Sequence, residues 1–183
     1  MSFKILIIMT FLLGSVNARA NEPAHGSAAG AAVAARVTDK YAHSWIAFPA
    51  LTLKSLSGEP LAPRIAIKGR VLITVFVASW CIPCQQLMSD FKRIALQYEN
   101  AYTDVIFVFA HDTAPDAQAF ASFHKVTPSS FLGTAKVLED FHQPDLPSIY
   151  ASDRYGWLVY RKLNAKIDDV KELEGFLELH NSF

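Results

Sequence analysis

Two cysteines are the chain's whole supply of thiol chemistry, and they stand two residues apart in Trp80-Cys81-Ile82-Pro83-Cys84. Just before them lies the apolar run at 71–78, Val-Leu-Ile-Thr-Val-Phe-Val-Ala, which reads as a buried strand giving way to a helix at the cysteine pair. The first N–H groups of a helix have no intrahelical partner and carry the positive end of its dipole. A sulfur held there is favoured as thiolate, the reactive form. Thiol–disulfide exchange needs an attacking thiolate and a second thiol close enough to resolve the mixed disulfide. Cysteines at i and i+3 on a first helical turn supply both: Cys81 is expected to be exposed and to attack, Cys84 to be shielded and to resolve. Pro83 has no N–H to satisfy and a φ already suited to a first turn.

Other chemistries fit the pair less well. As a structural staple, a loop of four residues would constrain the unfolded chain by only about 2 kcal/mol. A structural zinc site needs four ligands, and the histidines (His25, His43, His111, His124, His142, His180) never fall in the paired spacing of a finger. Copper is the stronger rival, because two soft thiolates and one histidine could hold Cu(I) transiently, with His111 as the third ligand. A lone histidine at a strand end also reads as one that is merely hydrogen-bonded. Trp80 has two readings, a shield on one side of the pair or a plain aromatic.

The elements that must position this pair follow from pattern. Phe48, Leu51, Leu53 and Leu56 precede a turn at Ser57-Gly58-Glu59-Pro60 and suggest a leading strand or hairpin. After Cys84, the residues Leu87, Met88, Phe91, Ile94, Ala95 and Tyr98 recur at helical spacing and predict an amphipathic helix to about residue 99. Residues 105–110 form a second buried strand. A helix opens near Asp112-Thr113, with either residue as cap, and Ala117, Phe120, Ala121 and His124 as its inner stripe. A short strand at Phe131 and Leu132, a brief helix at 135–141, a hairpin of 148–151 with 157–163 and a closing helix complete the domain. The closing helix is marked by Ile167, Val170, Leu173, Phe176 and Leu177. This order predicts an α/β fold, a central mixed sheet with helices on both faces. Pro147 heads the first hairpin strand. The default is a trans bond, but a cis Leu146-Pro147 would set the Leu146 backbone beside the cysteines, where an extended substrate could pair as an added strand.

Residues 1–20 read as a secretory signal: Lys4, an apolar stretch over 5–16, then Ala18 and Ala20 in an Ala-x-Ala pattern, with cleavage after Ala20. The stretch is too short and too interrupted to span a bilayer readily, so membrane anchoring is expected only if the signal stays uncleaved. Residues 21–44 are a flexible Ala/Gly-rich leader, and 45–183 the folded domain. The full chain has 17 cationic and 17 anionic side chains; without residues 1–20, which carry Lys4, Arg19 and no acid, 15 cations face 17 anions. That balance does not solicit nucleic acid.

Together these features resemble the thioredoxin fold, and within it the periplasmic TlpA-like branch that includes ResA-type cytochrome c maturation reductants. The resemblance covers roughly residues 48–179 and is most specific at Val77-Ala-Ser-Trp-Cys-Ile-Pro-Cys84. The segments Leu53-Lys-Ser-Leu-Ser-Gly-Glu-Pro-Leu61 and Leu146-Pro147-Ser-Ile-Tyr-Ala-Ser-Asp153, with the turn Asp153-Arg-Tyr-Gly156, support it. It implies a three-layer thioredoxin-like fold with a TlpA-like insertion in the 62 residues between Cys84 and Pro147. It also implies a redox-active Cys81–Cys84 disulfide, with Trp80, Pro83, Leu146 and Pro147 supporting the substrate and no cofactor or metal. The partners would be client proteins bearing disulfides or thiols and an upstream membrane thiol reductant. Thioredoxins carry a buried acid six residues before the first cysteine; here Val75 stands there. Asp112 is the position that matches an alternative acid after the next strand, as proton relay, and it reads equally well as a helix cap. Potentials within this fold span about 150 mV, or ~7 kcal/mol, and depend on the residues between the cysteines. Ile82-Pro83 offers no donor or charge to stabilise the thiolate, so a reducing couple is expected.

Overall fold

A computed structural model describes residues 46–61, 69–98 and 102–181. The signal and leader segments, with Trp45, His25 and His43, lie outside the described residues. In chain order the elements are β1 (Leu53–Lys54), β2 (Val71–Val77), α1 (Ile82–Tyr98), β3 (Thr103–Phe109), α2 (Ala114–His124) and a 3-10 turn (Thr127–Ser129). They continue with β4 (Ser130–Gly133), α3 (Ala135–Asp140), β5 (Ser148–Ser152), β6 (Leu158–Lys162) and α4 (Ile167–Asn181). All four helices among the described residues, and both principal strands, were expected from pattern.

The six strands form one mixed sheet in the order β1-β4-β3-β2-β5-β6. β2, β3 and β4 run parallel, while β5 runs antiparallel to β2, and β6 and β1 are antiparallel to their own neighbours. Because the side chains of a strand alternate between faces, β2 divides its apolar run between two cores. Val71, Ile73, Val75 and Val77 pack with Met88, Phe91 and Ile94 of α1, Phe120 of α2 and Phe176 of α4. Leu72 and Phe76 face the other way, toward Phe48, Leu51, Leu138, Phe141 and Tyr150. There Phe141 packs edgewise on Phe48 and Tyr150, with ring centroids 5.5 and 4.7 Å apart, and lies tilted against Phe76 at 4.9 Å. Helices therefore cover both faces, unequally. Three lie on one, while α3 and the segment around 48–53 cover the other. Burial on both faces is what makes β2 read as continuous apolar sequence.

Local signals set the remaining boundaries. Gly58, at φ 89°, makes the turn that returns Pro60 to pair with Lys54. Thr113, rather than Asp112, caps α2, accepting the Asp116 N–H on its hydroxyl, and Pro115 sits in the first turn where its missing N–H costs nothing. His124 is half-buried rather than fully inside, its ring 4.4 Å from that of Phe120. Ile167, expected to pack, stands at the first position of α4 and is exposed.

At that opening, Asp169 accepts the Lys166 N–H at 2.9 Å and the Lys162 ammonium at 3.0 Å, so it both caps α4 and ties it to β6. Burial alone would raise its pKa, but the Lys166 amide and Lys162 outweigh burial and hold the carboxyl below its ordinary value. A lowered folded pKa stabilises the protein above the unfolded carboxyl's pKa of about 3.9, and that contribution is lost as pH falls through the folded value. Asp169→Asn is expected to cost about 1 kcal/mol at neutral pH, with the gap to wild type closing in acid, as urea midpoints taken across that range will read.

Candidate functional site

The topology gathers three segments at one end of the sheet. β2 and β3 are parallel, so the loops leaving their C-terminal ends lie side by side, joined where the Ala110 N–H donates to the Val77 carbonyl at 2.8 Å. β5 runs the opposite way beside β2, with Ser148 opposite Phe76, so its start arrives at the same end. There the Leu146-Pro147 bond is cis, as the extended-substrate reading required.

Cys81 sits immediately before α1 and meets the requirements of an N-cap. Its carbonyl accepts the Gln85 N–H at 3.1 Å, and its Sγ accepts the Cys84 N–H at 3.2 Å. The helix mouth therefore offers the sulfur a donor as well as its dipole, both of which favour a thiolate in the reduced protein. Cys81 and Cys84 are joined as a disulfide with Cα atoms 5.2 Å apart. Cys84 is fully buried. Cys81, expected to be exposed, keeps only 5% of its surface, because its sulfur is turned back onto the first turn of α1.

That remaining surface opens on a groove of about 410 Å³ lined by Trp80, Cys81, Ile82, Pro83, His111 and, across from them, Pro144, Asp145 and Leu146. Trp80 and Ile82 are 60% and 66% exposed, so the rim is apolar and unshielded. The groove thus unites five residues singled out in the sequence, Trp80, Cys81, Pro83, Leu146 and, from the copper reading, His111; Pro147, next in the chain after Leu146, is buried and does not line it. His111 turns the chain out of β3 with φ 56°, in the left-handed region. Val75, in the position of the thioredoxin acid, is buried.

Asp112 faces a different partner. Its Oδ2 accepts the Ser79 N–H at 2.7 Å and its Oδ1 the Ser79 hydroxyl at 2.6 Å. The Ser79 carbonyl in turn accepts the Gln85 side-chain N–H at 2.9 Å. Sequence reasoning missed both Ser79 and Gln85. Only the placement of a hydroxyl two residues before Cys81 could have pointed to the first, and no local pattern joins it to a residue 33 positions on.

No family model matches the sequence. The chain is similar to the Thioredoxin-like protein YneN of Bacillus subtilis (strain 168), 29% identical over 133 residues that make up 72% of this chain and 76% of that protein. Among solved structures, a thiol:disulfide interchange protein of the thioredoxin family from Chlorobium tepidum TLS superposes with a TM-score of 0.63 at 13% identity, over 74% of this chain and 95% of that one. A secreted Mycobacterium tuberculosis disulfide oxidoreductase homologous to E. coli DsbE gives 0.60 at 17% identity, over 70% and 94%. StoA from Bacillus subtilis gives 0.55 at 18%, over 70% and 96%. The fold of this chain is thioredoxin-like, as the residues around the cysteine pair implied.

Proposed function

We propose that the protein is a thiol-disulfide oxidoreductase acting outside the cytoplasm, which reduces disulfides of client proteins through Cys81 and Cys84, as in cytochrome c maturation. The observation that carries this reading is the Cys81 sulfur, held as an N-cap acceptor one turn from Cys84 and opening on an apolar groove. In the reduced protein the Cys81 thiolate attacks one sulfur of a client disulfide, and the other client sulfur leaves as thiolate and takes up a proton. A Cys81–client bond has then replaced the client's own. Cys84, losing its proton, attacks the Cys81 sulfur and expels the second client thiolate. Two electrons pass to the client, and the Cys81–Cys84 disulfide that forms needs a dithiol donor, assigned here to a membrane thiol reductant, to be reset.

Trp80, Pro83, Leu146 and Pro147 support the client in this scheme. Among the described residues Leu146 makes no backbone pair, while Ser148 begins the ladder to β2, so an extended client segment has an unused edge beside Cys81. The periplasmic location rests on the signal-like residues 1–20 and its cleavage after Ala20; no helix among the described residues is long and apolar enough to cross a membrane. The copper-handling alternative wants a third ligand. His111 lines the groove, yet among the described residues no three His, Cys, Asp or Glu side chains gather as a metal site.

The reducing direction follows from the motif interior. Ile82 and Pro83 bring neither charge nor side-chain donor to Cys81, whose sulfur accepts from the Cys84 amide. The potential is expected nearer the thioredoxin value of about −270 mV than the DsbA value of about −120 mV. Equilibration against glutathione buffers, reading the dithiol fraction, measures it. A value near that of DsbA would reverse the direction.

A further inference from the structure

We infer that Asp112 is a positioning residue, a clamp on the loop that presents Cys81, in place of the proton relay its sequence position suggested; the inference rests on the exchange reading above. Both carboxylate oxygens are engaged by one residue, Oδ2 by the Ser79 N–H and Oδ1 by the Ser79 hydroxyl. Ser79 then passes the restraint on. Its carbonyl holds the Gln85 side chain, and the Gln85 backbone N–H holds the Cys81 carbonyl, so the circuit closes around the attacking residue. The Cys81 N–H is itself bonded to Ala78, the residue before Ser79. Three segments are joined in this way: the loop after β2, the loop after β3 and the first turn of α1.

A relay would need the carboxylate to reach the proton of Cys84. Among the described residues every hydrogen bond of Asp112 goes to Ser79, and Cys84 is buried on the core side of α1. Protonating Asp112 would also weaken two bonds whose strength comes from its charge. What the clamp supplies is placement. The Cys84 N–H favours the Cys81 sulfur as thiolate only while the sulfur stays within its reach, and small displacements at a reacting atom are costly.

The test compares the rate of insulin reduction by the full reduced chain with that of Asp112→Ala, Asp112→Asn and Ser79→Ala. Asp112→Asn keeps one acceptor for Ser79, and Ser79→Ala keeps the backbone bond. Each is expected to slow exchange about threefold, and Asp112→Ala, which loses both bonds, about tenfold. The shape of the pH–rate profile should be unchanged in Asp112→Asn. A relay predicts otherwise: Asp112→Asn as slow as the alanine variant with a limb of its profile lost, and Ser79→Ala at the wild-type rate. Either that pattern or equal rates for all four proteins overturns the clamp. The two conservative variants decide the matter if Asp112→Ala does not fold. Failure of the exchange reading would register separately, as inability of the wild-type protein to reduce insulin.

Discussion

Cys81→Ser is expected to abolish reduction of a protein disulfide, lowering the rate by about a thousandfold or more, while leaving the fold in place. A serine hydroxyl at neutral pH is almost wholly protonated and does not attack a disulfide, so neither the mixed disulfide nor the later Cys84 attack can occur. Serine nevertheless suits the position structurally. Cys81 acts as the N-cap of α1, with its side-chain sulfur accepting from Cys84, and a serine oxygen is among the preferred acceptors there. The loss of the short disulfide loop removes at most about 2 kcal/mol of constraint on the unfolded chain. Insulin reduction and a thermal melt on the same sample separate the two effects. Substantial residual turnover would move the nucleophile away from Cys81.

Much of this site could be read from sequence because its determinants are local. Leu87, Met88, Phe91, Ile94, Ala95 and Tyr98 are the residues of α1 expected inside, and all are buried. Their spacing is fixed by the helix itself, so no tertiary knowledge was needed. The same holds for β2, whose burial on both faces leaves a run that is apolar but for Thr74. The cysteine pair declared its chemistry by its place between those two elements.

What escaped was nonlocal. The short strands β1 and β4 were each expected, but not their antiparallel pairing at the sheet edge, which joins segments nearly eighty positions apart. The Asp112–Ser79 contact is of the same kind. Aspartate before a helix suggests a cap by local statistics, but the adjacent Thr113 takes that role and frees Asp112 to cross to the neighbouring loop. Cys81 misled in another way. A thiol at a helix mouth reads as exposed, whereas accepting the Cys84 N–H turns its sulfur inward and leaves Trp80 and Ile82 as the exposed apolar rim around it.

The roles of the two sulfurs differ most sharply once the second is removed. With Cys84→Ala the attack by Cys81 proceeds, but the mixed disulfide cannot be resolved from within the protein, because the only thiol one turn along is gone. Alanine fills the fully buried position without a new polar group and is a good helix former, so α1 should persist. Catalytic turnover is expected to fall as far as in Cys81→Ser, yet the protein should accumulate as a covalent adduct instead of remaining free.

The most direct measurement is therefore mass spectrometry of reduced Cys84→Ala protein mixed with a disulfide-bearing client, before and after added dithiol. The expected result is a one-to-one adduct through Cys81 that disappears on reduction and fails to form when Cys81 is also replaced. If Cys81 stays free under these conditions, its sulfur is not the attacking group and the exchange mechanism is contradicted.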